Sequence, residues 1–141
     1  MVKMIKRAFI FMDVDGTLVV DGSDQIDPER RQMVEELLRA EQTVVILSNK
    51  KNHKRNQKVA DDLGVPYVHT DLKKPNPAIL DLVDDGLKPV EVHGDKYWTD
   101  GRFAKAIGAH FVKLPRLRGK GESFWIKLSY VLDDIFAKLF S

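Results

Sequence analysis

The chain has 141 residues, 43% hydrophobic and 31% charged, which fits one soluble globular domain on a prior of ~150 residues per domain. This balance excludes a disordered tail, a collagen-like fibre and a multi-spanning membrane protein, because no apolar run approaches the ~20 residues of a spanning helix. The formal net charge is only +2, and the absence of cysteine rules out disulfides, thiolate zinc sites and cysteine nucleophiles. The N-terminus, Met-Val-Lys-Met-Ile-Lys-Arg, lacks the apolar core and cleavage site of a secretory signal, and the expected location is cytoplasmic.

Residues 7–12 read as a short buried strand. Asp27-Pro28-Glu29 then places an N-cap before a proline at the first helical position, and Met33, Val34, Leu37 and Leu38 supply the buried stripe. A second strand is predicted over 43–48, and a polar, basic helix over 52–63 that stops at Gly64. Residues 66–70 read as a third strand. Asn76-Pro77 opens another helix, with Ile79, Leu80 and Val83 on its face and Gly86 as its C-cap. Strands over 90–93 and 109–114 complete the set, separated by a helix that Gly108 stops. This alternation predicts an α/β fold, a doubly wound parallel sheet of about five strands, forming a single domain over residues 1–141. Such sheets bind ligands beyond the carboxyl ends of their strands, so chemistry is expected after Met12, Leu47, Thr70, His93 and Leu114.

Those strand ends carry the informative residues. Asp13-Val14-Asp15-Gly16-Thr17-Leu18 follows the first apolar run. Two aspartates one residue apart can converge on one hard cation, Gly16 permits a sharp turn, and Thr17 offers a hydroxyl. Ser48-Asn49 stands at the second strand end, where a hydroxyl can donate to a phosphate oxygen. Lys73-Lys74-Pro75 brings a point charge suited to phosphate on a backbone fixed by proline. Gly94-Asp95-Lys96-Tyr97-Trp98-Thr99-Asp100 adds two more carboxylates.

In this order the four motifs resemble the haloacid dehalogenase superfamily of phosphatases: DxDGT at Asp13 to Thr17, then Ser48, Lys74, and GDxxxxD at Asp95 and Asp100. The resemblance covers nearly the whole chain. It implies that Asp13 is the nucleophile forming an aspartyl-phosphate and that Asp15 is the general acid and base. It also implies Mg²⁺ held by Asp13, the Asp15 carbonyl and Asp95, with Asp100 supporting the metal or orienting Lys74. Ser48, Asn49 and Lys74 would bind the phosphoryl group and stabilise its charge, with Thr17 positioned near Asp15. Lys96, beside Asp95, stands where related sequences usually carry Gln.

No segment between the motifs is long enough for a cap domain, so the site is expected to be open and suited to a phosphate carried on something bulky. Within the superfamily, Ser48-Asn49, Lys74-Pro75 and the distal Gly-Asp resemble the capless phosphatidylglycerophosphate phosphatase subfamily. Clusters at Lys50, Lys51, Lys54, Arg55 and Lys58, and at Arg102, Lys105, Lys113, Arg116, Arg118 and Lys120, suggest a basic rim. Such a rim suits a lipid-linked phosphate, an anionic membrane touched peripherally, or a nucleic-acid end, and a partner subunit in an oligomer would add walls to the site. A C-terminal amphipathic helix over about 123–140 carries Phe124, Trp125, Leu128, Val131, Leu132, Ile135, Phe136 and Leu139 on one face. That face packs on the sheet or lies at a membrane interface. Two other activities fit the same residues: a phosphatase of a soluble sugar, nucleotide or polynucleotide end, and a non-catalytic phosphate- or Mg²⁺-binding module. His53 lies among the basic residues within reach of a substrate.

Overall fold

Along β1 (Phe9–Met12) every side chain is buried, yet successive residues enter different cores. Ile10 and Met12 join Val34, Val44, Ile46, Val59 and Ala60 on one face of the sheet. Phe9 and Phe11 join Val45, Leu47, Ile79, Val92 and Phe103 on the other. A strand buried on both faces reads as a continuous apolar run, as in sheets covered by helices on each side. The Phe11 and Phe103 rings meet edge to face with centroids 5.3 Å apart, a geometry worth about 1 kcal/mol beyond area burial. The computed structural model describes residues 7–83, 89–119, 128, 131–135 and 138–139.

β2 (Thr43–Ile46) and β3 (Val90–Gly94) pair in parallel with the two sides of β1, and β4 (His110–Lys113) adds beyond β3. The order is therefore β2-β1-β3-β4. Met12 lies in register with both Ile46 and His93, so the chain leaves β1, β2 and β3 at one end of the sheet. The chain winds from β1 to β2, then crosses back to β3 on the opposite side of β1. The reversal opens a crevice at the carboxyl end of β1, where ligands of open α/β sheets bind. Asp13 is the first residue into that crevice.

α1 (Pro28–Arg39) starts as the sequence predicts: the Asp27 carboxylate accepts from the Arg30 N–H at 3.1 Å, and proline occupies the first turn. α2 (His53–Leu63) is capped by the Asn52 carboxamide at 3.2 Å and closed by Gly64 with φ of 72°, a left-handed conformation that costs glycine little. A π-type turn over Tyr97–Gly101 leads into α3 (Arg102–Ile107), which packs beside β3.

Two elements depart from expectation. The strand predicted over 66–70 contributes one parallel bridge, Ile46 to Tyr67, outside β2. Pro66 has no N–H to donate, so the contact reduces to Ile46 N–H on the Pro66 carbonyl and Val68 N–H on that of Ile46, both 2.9 Å. The described sheet thus has four strands rather than five. The helix after Asn76 is a 3₁₀ helix, Pro77–Leu82, and the Asn76 side chain caps it as the sequence predicts, accepting from Ala78 N–H at 3.0 Å. Its expected C-cap, Gly86, lies outside the described residues.

Residues 18–26 form a small flap rather than a cap: Val19 bridges Asp15 on one side and Ile26 on the other. In the C-terminal helix, Val131, Leu132, Ile135 and Leu139 are 52%, 56%, 51% and 70% exposed, so their apolar face does not close the sheet. Instead the helix docks through the buried Asp133, whose carboxylate accepts from the Tyr97 and Trp98 backbone N–H groups, both at 2.8 Å. Phe124, Trp125 and Phe136, which the sequence placed on the same face, lie outside the described residues. No helix among the described residues is long and apolar enough to cross a membrane.

Candidate active site

Gly16, with φ of 76°, turns the chain back after Asp13 and Asp15, and the following backbone N–H groups close a tight loop onto the Val14 carbonyl. The loop aims Asp13 and Asp15 in different directions. Asp13 faces the crevice, where the buried Thr17 hydroxyl donates to its Oδ2 at 3.3 Å. Asp15 faces α2, where Arg55 grips both its oxygens at 2.7 and 2.6 Å. The Gly22 N–H adds a third bond at 2.8 Å, and the Lys50 ammonium stands 3.6 Å away. Burial alone would raise the Asp15 pKa, but Arg55, Gly22 and Lys50 outweigh it and hold the carboxyl below the ordinary range.

Lys74 occupies the centre of the site. Its backbone is fixed by Asn49, which accepts the Lys74 N–H at 2.7 Å and donates its own amide to the Lys74 carbonyl at 3.1 Å. The Lys74–Pro75 peptide is cis. The buried ammonium donates to Asp13 Oδ1 at 3.0 Å, Asp100 Oδ1 at 2.5 Å and the Leu47 carbonyl at 3.2 Å. Desolvation would lower its pKa, yet the charges of Asp100 and Asp13 prevail and keep it above the usual lysine value. Asp100 is fully buried, and burial together with the Asp13 charge pushes its carboxyl up to about 7 against the opposing pull of Lys74.

Gly94 makes this packing feasible. A Cβ there would lie 2.2 Å from Asp100 Oδ2, so no larger residue fits beneath that carboxylate. Ser48, also buried, accepts the Lys50 N–H at 3.1 Å and presents its hydroxyl beside Asp13 and Asp95 in a cavity of about 120 Å³. Lys50, Lys96 and Thr99 also border that space. All eight residues singled out from the sequence, Asp13, Asp15, Thr17, Ser48, Asn49, Lys74, Asp95 and Asp100, thus assemble at one sheet edge.

Asp13, Asp95 and Asp100 each offer a carboxylate oxygen, and these oxygens lie within 4.8 Å of one another. An all-carboxylate donor set suits a hard divalent cation such as Mg²⁺. The Asp15 carboxylate, turned towards Arg55, is outside that group.

The basic rim is less free than the sequence suggested. Arg55 is buried on Asp15, Lys58 pairs with Asp24 at 2.6 Å, and Lys50 pairs with Asp21. His53 engages Tyr67 and Asp71 on the outer side of α2 instead of the crevice. Arg55 is the residue the sequence reading missed. Its position one turn before Val59 on the buried face of α2 was the available signal, obscured by four neighbouring lysines.

Fold and site together define a phosphatase of the haloacid dehalogenase class, with the acidic cluster at the switch point of a parallel sheet and no cap domain among the described residues. The family described as mitochondrial PGP phosphatase matches residues 3–116, and the chain belongs to that family. No curated protein matches the sequence. Among solved structures, the chain is similar to one in a Pnkp1/Rnl/Hen1 complex, with TM-score 0.56 and 13% identity over 77% of this chain. It spans only 45% of that protein. It is also similar to the core domain of a protein assigned as a phosphoglycolate phosphatase from Streptococcus pneumoniae TIGR4. There the TM-score is 0.53 and identity 22%, over 92% of this chain and 96% of the other. At these identities the likeness is one of fold.

Proposed function

We propose that the protein hydrolyses a phosphomonoester through an aspartyl-phosphate on Asp13, with Mg²⁺ as cofactor and a lipid-linked phosphate, phosphatidylglycerophosphate, as the leading substrate. The observation that carries this reading is the placement of Lys74, whose ammonium joins Asp13 to the buried Asp100 at the mouth of a phosphate-sized cavity.

Asp13 Oδ attacks phosphorus in line, the P–O bond to the alcohol breaks, and the departing alkoxide takes a proton from Asp15. Water then attacks the phosphorus of the aspartyl-phosphate, giving its proton to Asp15 and regenerating the Asp13 carboxylate. Paired with Arg55, Asp15 is in the form that accepts this second proton. To serve as donor in the first step it must be protonated, which requires Arg55 to release it. Ser48 Oγ–H and the Lys74 ammonium donate to the transferring group and offset its growing charge. Mg²⁺, held by Asp13, Asp95 and the Asp15 carbonyl, would reduce repulsion between the nucleophile and the phosphoryl oxygens.

The lipid-linked reading is supported by the exposed Val131, Leu132, Ile135 and Leu139 of the C-terminal helix, whose polar side meets Lys113 next to Asp95. Peripheral contact with an anionic membrane is part of this reading. Asp13→Asn should abolish turnover of every phosphomonoester while leaving the circular dichroism spectrum unchanged, because the amide keeps the shape but is no nucleophile. Hydrolysis by the pure variant would overturn the mechanism. Lipid, sugar and nucleotide monoesters compared side by side with Mg²⁺ would decide the substrate class.

A further inference from the structure

The Arg55 guanidinium is held from the side away from Asp15 as well. Its Nε–H donates to Asn56 Oδ1 at 2.9 Å, and a terminal N–H donates to the Ser23 carbonyl at 3.0 Å. Asn56 is fully buried, and its amide donates to the Lys50 carbonyl at 2.9 Å and to the Tyr67 hydroxyl at 3.2 Å. Those two acceptors fix which way the carboxamide faces, because a flipped amide would set N–H against N–H at Arg55.

From Asn56 the polarity runs one way. The Tyr67 oxygen accepts from Asn56, which leaves the hydroxyl proton for His53 Nδ1 at 2.5 Å. His53 then carries its ring proton on Nε2, where the Asp71 carboxylate accepts it at 2.9 Å. Arg55 thus donates in two directions, inward to the Asp15 carboxylate and outward into a chain that ends on the Asp71 carboxylate. The bridge between Ile46 and Tyr67 fixes the tyrosine in that chain, which gives the segment short of a full strand a structural use.

We propose that Asn56 and Tyr67 are positioning residues for the acid step: they hold Arg55 in place independently of Asp15, so that the Asp15 carboxyl can leave the guanidinium for the departing alcohol. Asp15 already borders the cavity over Asp13. A buried guanidinium with Asp15 as its sole acceptor would resist that turn, because release would leave its charge unpaired. With Asn56 and Ser23 kept as acceptors, part of that cost is removed, and the cation stays in place for the carboxylate's return. The proposal rests on the phosphatase reading and deepens it, by adding to the acid step two residues that lie outside the cavity itself.

The test compares kcat/KM for glycerol 3-phosphate and p-nitrophenyl phosphate, both with Mg²⁺, in the wild type, Tyr67→Phe and Asn56→Leu. This constant covers the steps up to loss of the alcohol, in which glycerolate needs the proton from Asp15 and nitrophenolate does not. Each variant is expected to lose about tenfold on glycerol 3-phosphate, the scale of one hydrogen bond, and less than about twofold on p-nitrophenyl phosphate. Equal losses on both esters would mark a merely structural role and overturn the proposal. No loss on either ester, or a gain on glycerol 3-phosphate, would overturn it too. In an Arg55→Lys background, whose side chain has no Nε–H, adding Tyr67→Phe should cost less than about twofold. A further loss of about tenfold there would show that Tyr67 does not act through Arg55. A readout without turnover is hydrogen exchange at the Arg55 Nε–H by NMR, its signal assigned by disappearance in Arg55→Lys. Exchange should accelerate about tenfold in Tyr67→Phe and Asn56→Leu, and an unchanged rate would overturn the chain. Faster exchange in the variants, with neither ester turned over by the wild type, would overturn the phosphatase reading while confirming that the chain holds Arg55.

Discussion

Arg55 closes on Asp15 from 40 residues further along the chain and meets both carboxylate oxygens, at 2.7 and 2.6 Å. Both residues are buried, and Arg55 is held in turn by the Asn56 carboxamide at 2.9 Å and the Ser23 carbonyl at 3.0 Å. Removing one member of such a pair leaves the other charge buried and unpaired. Arg55→Gln is therefore expected to destabilise the fold by about 3 kcal/mol, and Arg55→Lys by less, because it keeps the charge and loses the fork. Urea denaturation checks both. A loss below about 1 kcal/mol for the glutamine variant would mean that water enters and solvates Asp15.

Gly94→Ala tests how tightly the site is packed. The added methyl would lie 2.2 Å from Asp100 Oδ2 and 2.9 Å from its Cβ, so either the side chain or β3 must move. Overpacking of this kind costs ~1–3 kcal/mol, and here it also pulls Asp100 away from Lys74. Stability and turnover should fall together. A fully active variant of wild-type stability would show that Asp100 has room to shift.

Much of this site is legible in the sequence because each motif directly follows a buried apolar run. Asp13 comes after Phe9–Met12, Ser48 after Thr43–Ile46 and Leu47, and Asp95 after Val90–Gly94. Register in a parallel sheet then brings the three strand ends to one edge. What the pattern hides is partnership across distance. Arg55 looks like one more solvated cation among Lys50, Lys51, Lys54 and Lys58, and only the docking of α2 shows that it faces inward. Asp133 is similar. Its place in an amphipathic helix suggests a solvent position, but it caps two backbone N–H groups from 36 and 35 residues away. The segment 66–70 misleads for the opposite reason, since Tyr67 and Val68 pack into the core while the backbone makes a single bridge to Ile46.

The metal prediction concerns Asp95. Its oxygens belong to the carboxylate group formed with Asp13 and Asp100, and Thr17 approaches it at 3.5 Å. Asp95→Asn removes one negative charge from that donor set while nearly preserving its volume. The Mg²⁺ concentration for half-maximal activity should rise by about tenfold or more, the scale on which a lost charged ligand contact acts. Chelation of Mg²⁺ should abolish wild-type turnover. An unchanged Mg²⁺ titration in the variant would place Asp95 outside the metal's coordination.

The C-terminal helix has two faces with separable effects, and two substitutions resolve them. Asp133 joins the helix to the turn that carries Asp100, because its carboxylate accepts from Tyr97 N–H and Trp98 N–H at 2.8 Å. Lys113 stands 3.6 Å from it and ties the same helix to the Asp95 carbonyl. Asp133→Ala leaves those N–H groups without their acceptor, at a cost of about 3 kcal/mol for two bonds to a charged group. Amide exchange at Tyr97 and Trp98 should accelerate by an order of magnitude or more, with a fall in turnover as Asp100 loses support. Leu132 is 56% exposed on the other face, so Leu132→Asp should change stability by less than about 0.5 kcal/mol. If that face meets an anionic membrane, the same substitution should sharply weaken flotation with anionic vesicles, since it places a charge of the wrong sign at an apolar contact. Unchanged exchange in Asp133→Ala would mean the helix is held by other contacts. Unchanged flotation in Leu132→Asp would remove this face from the membrane reading.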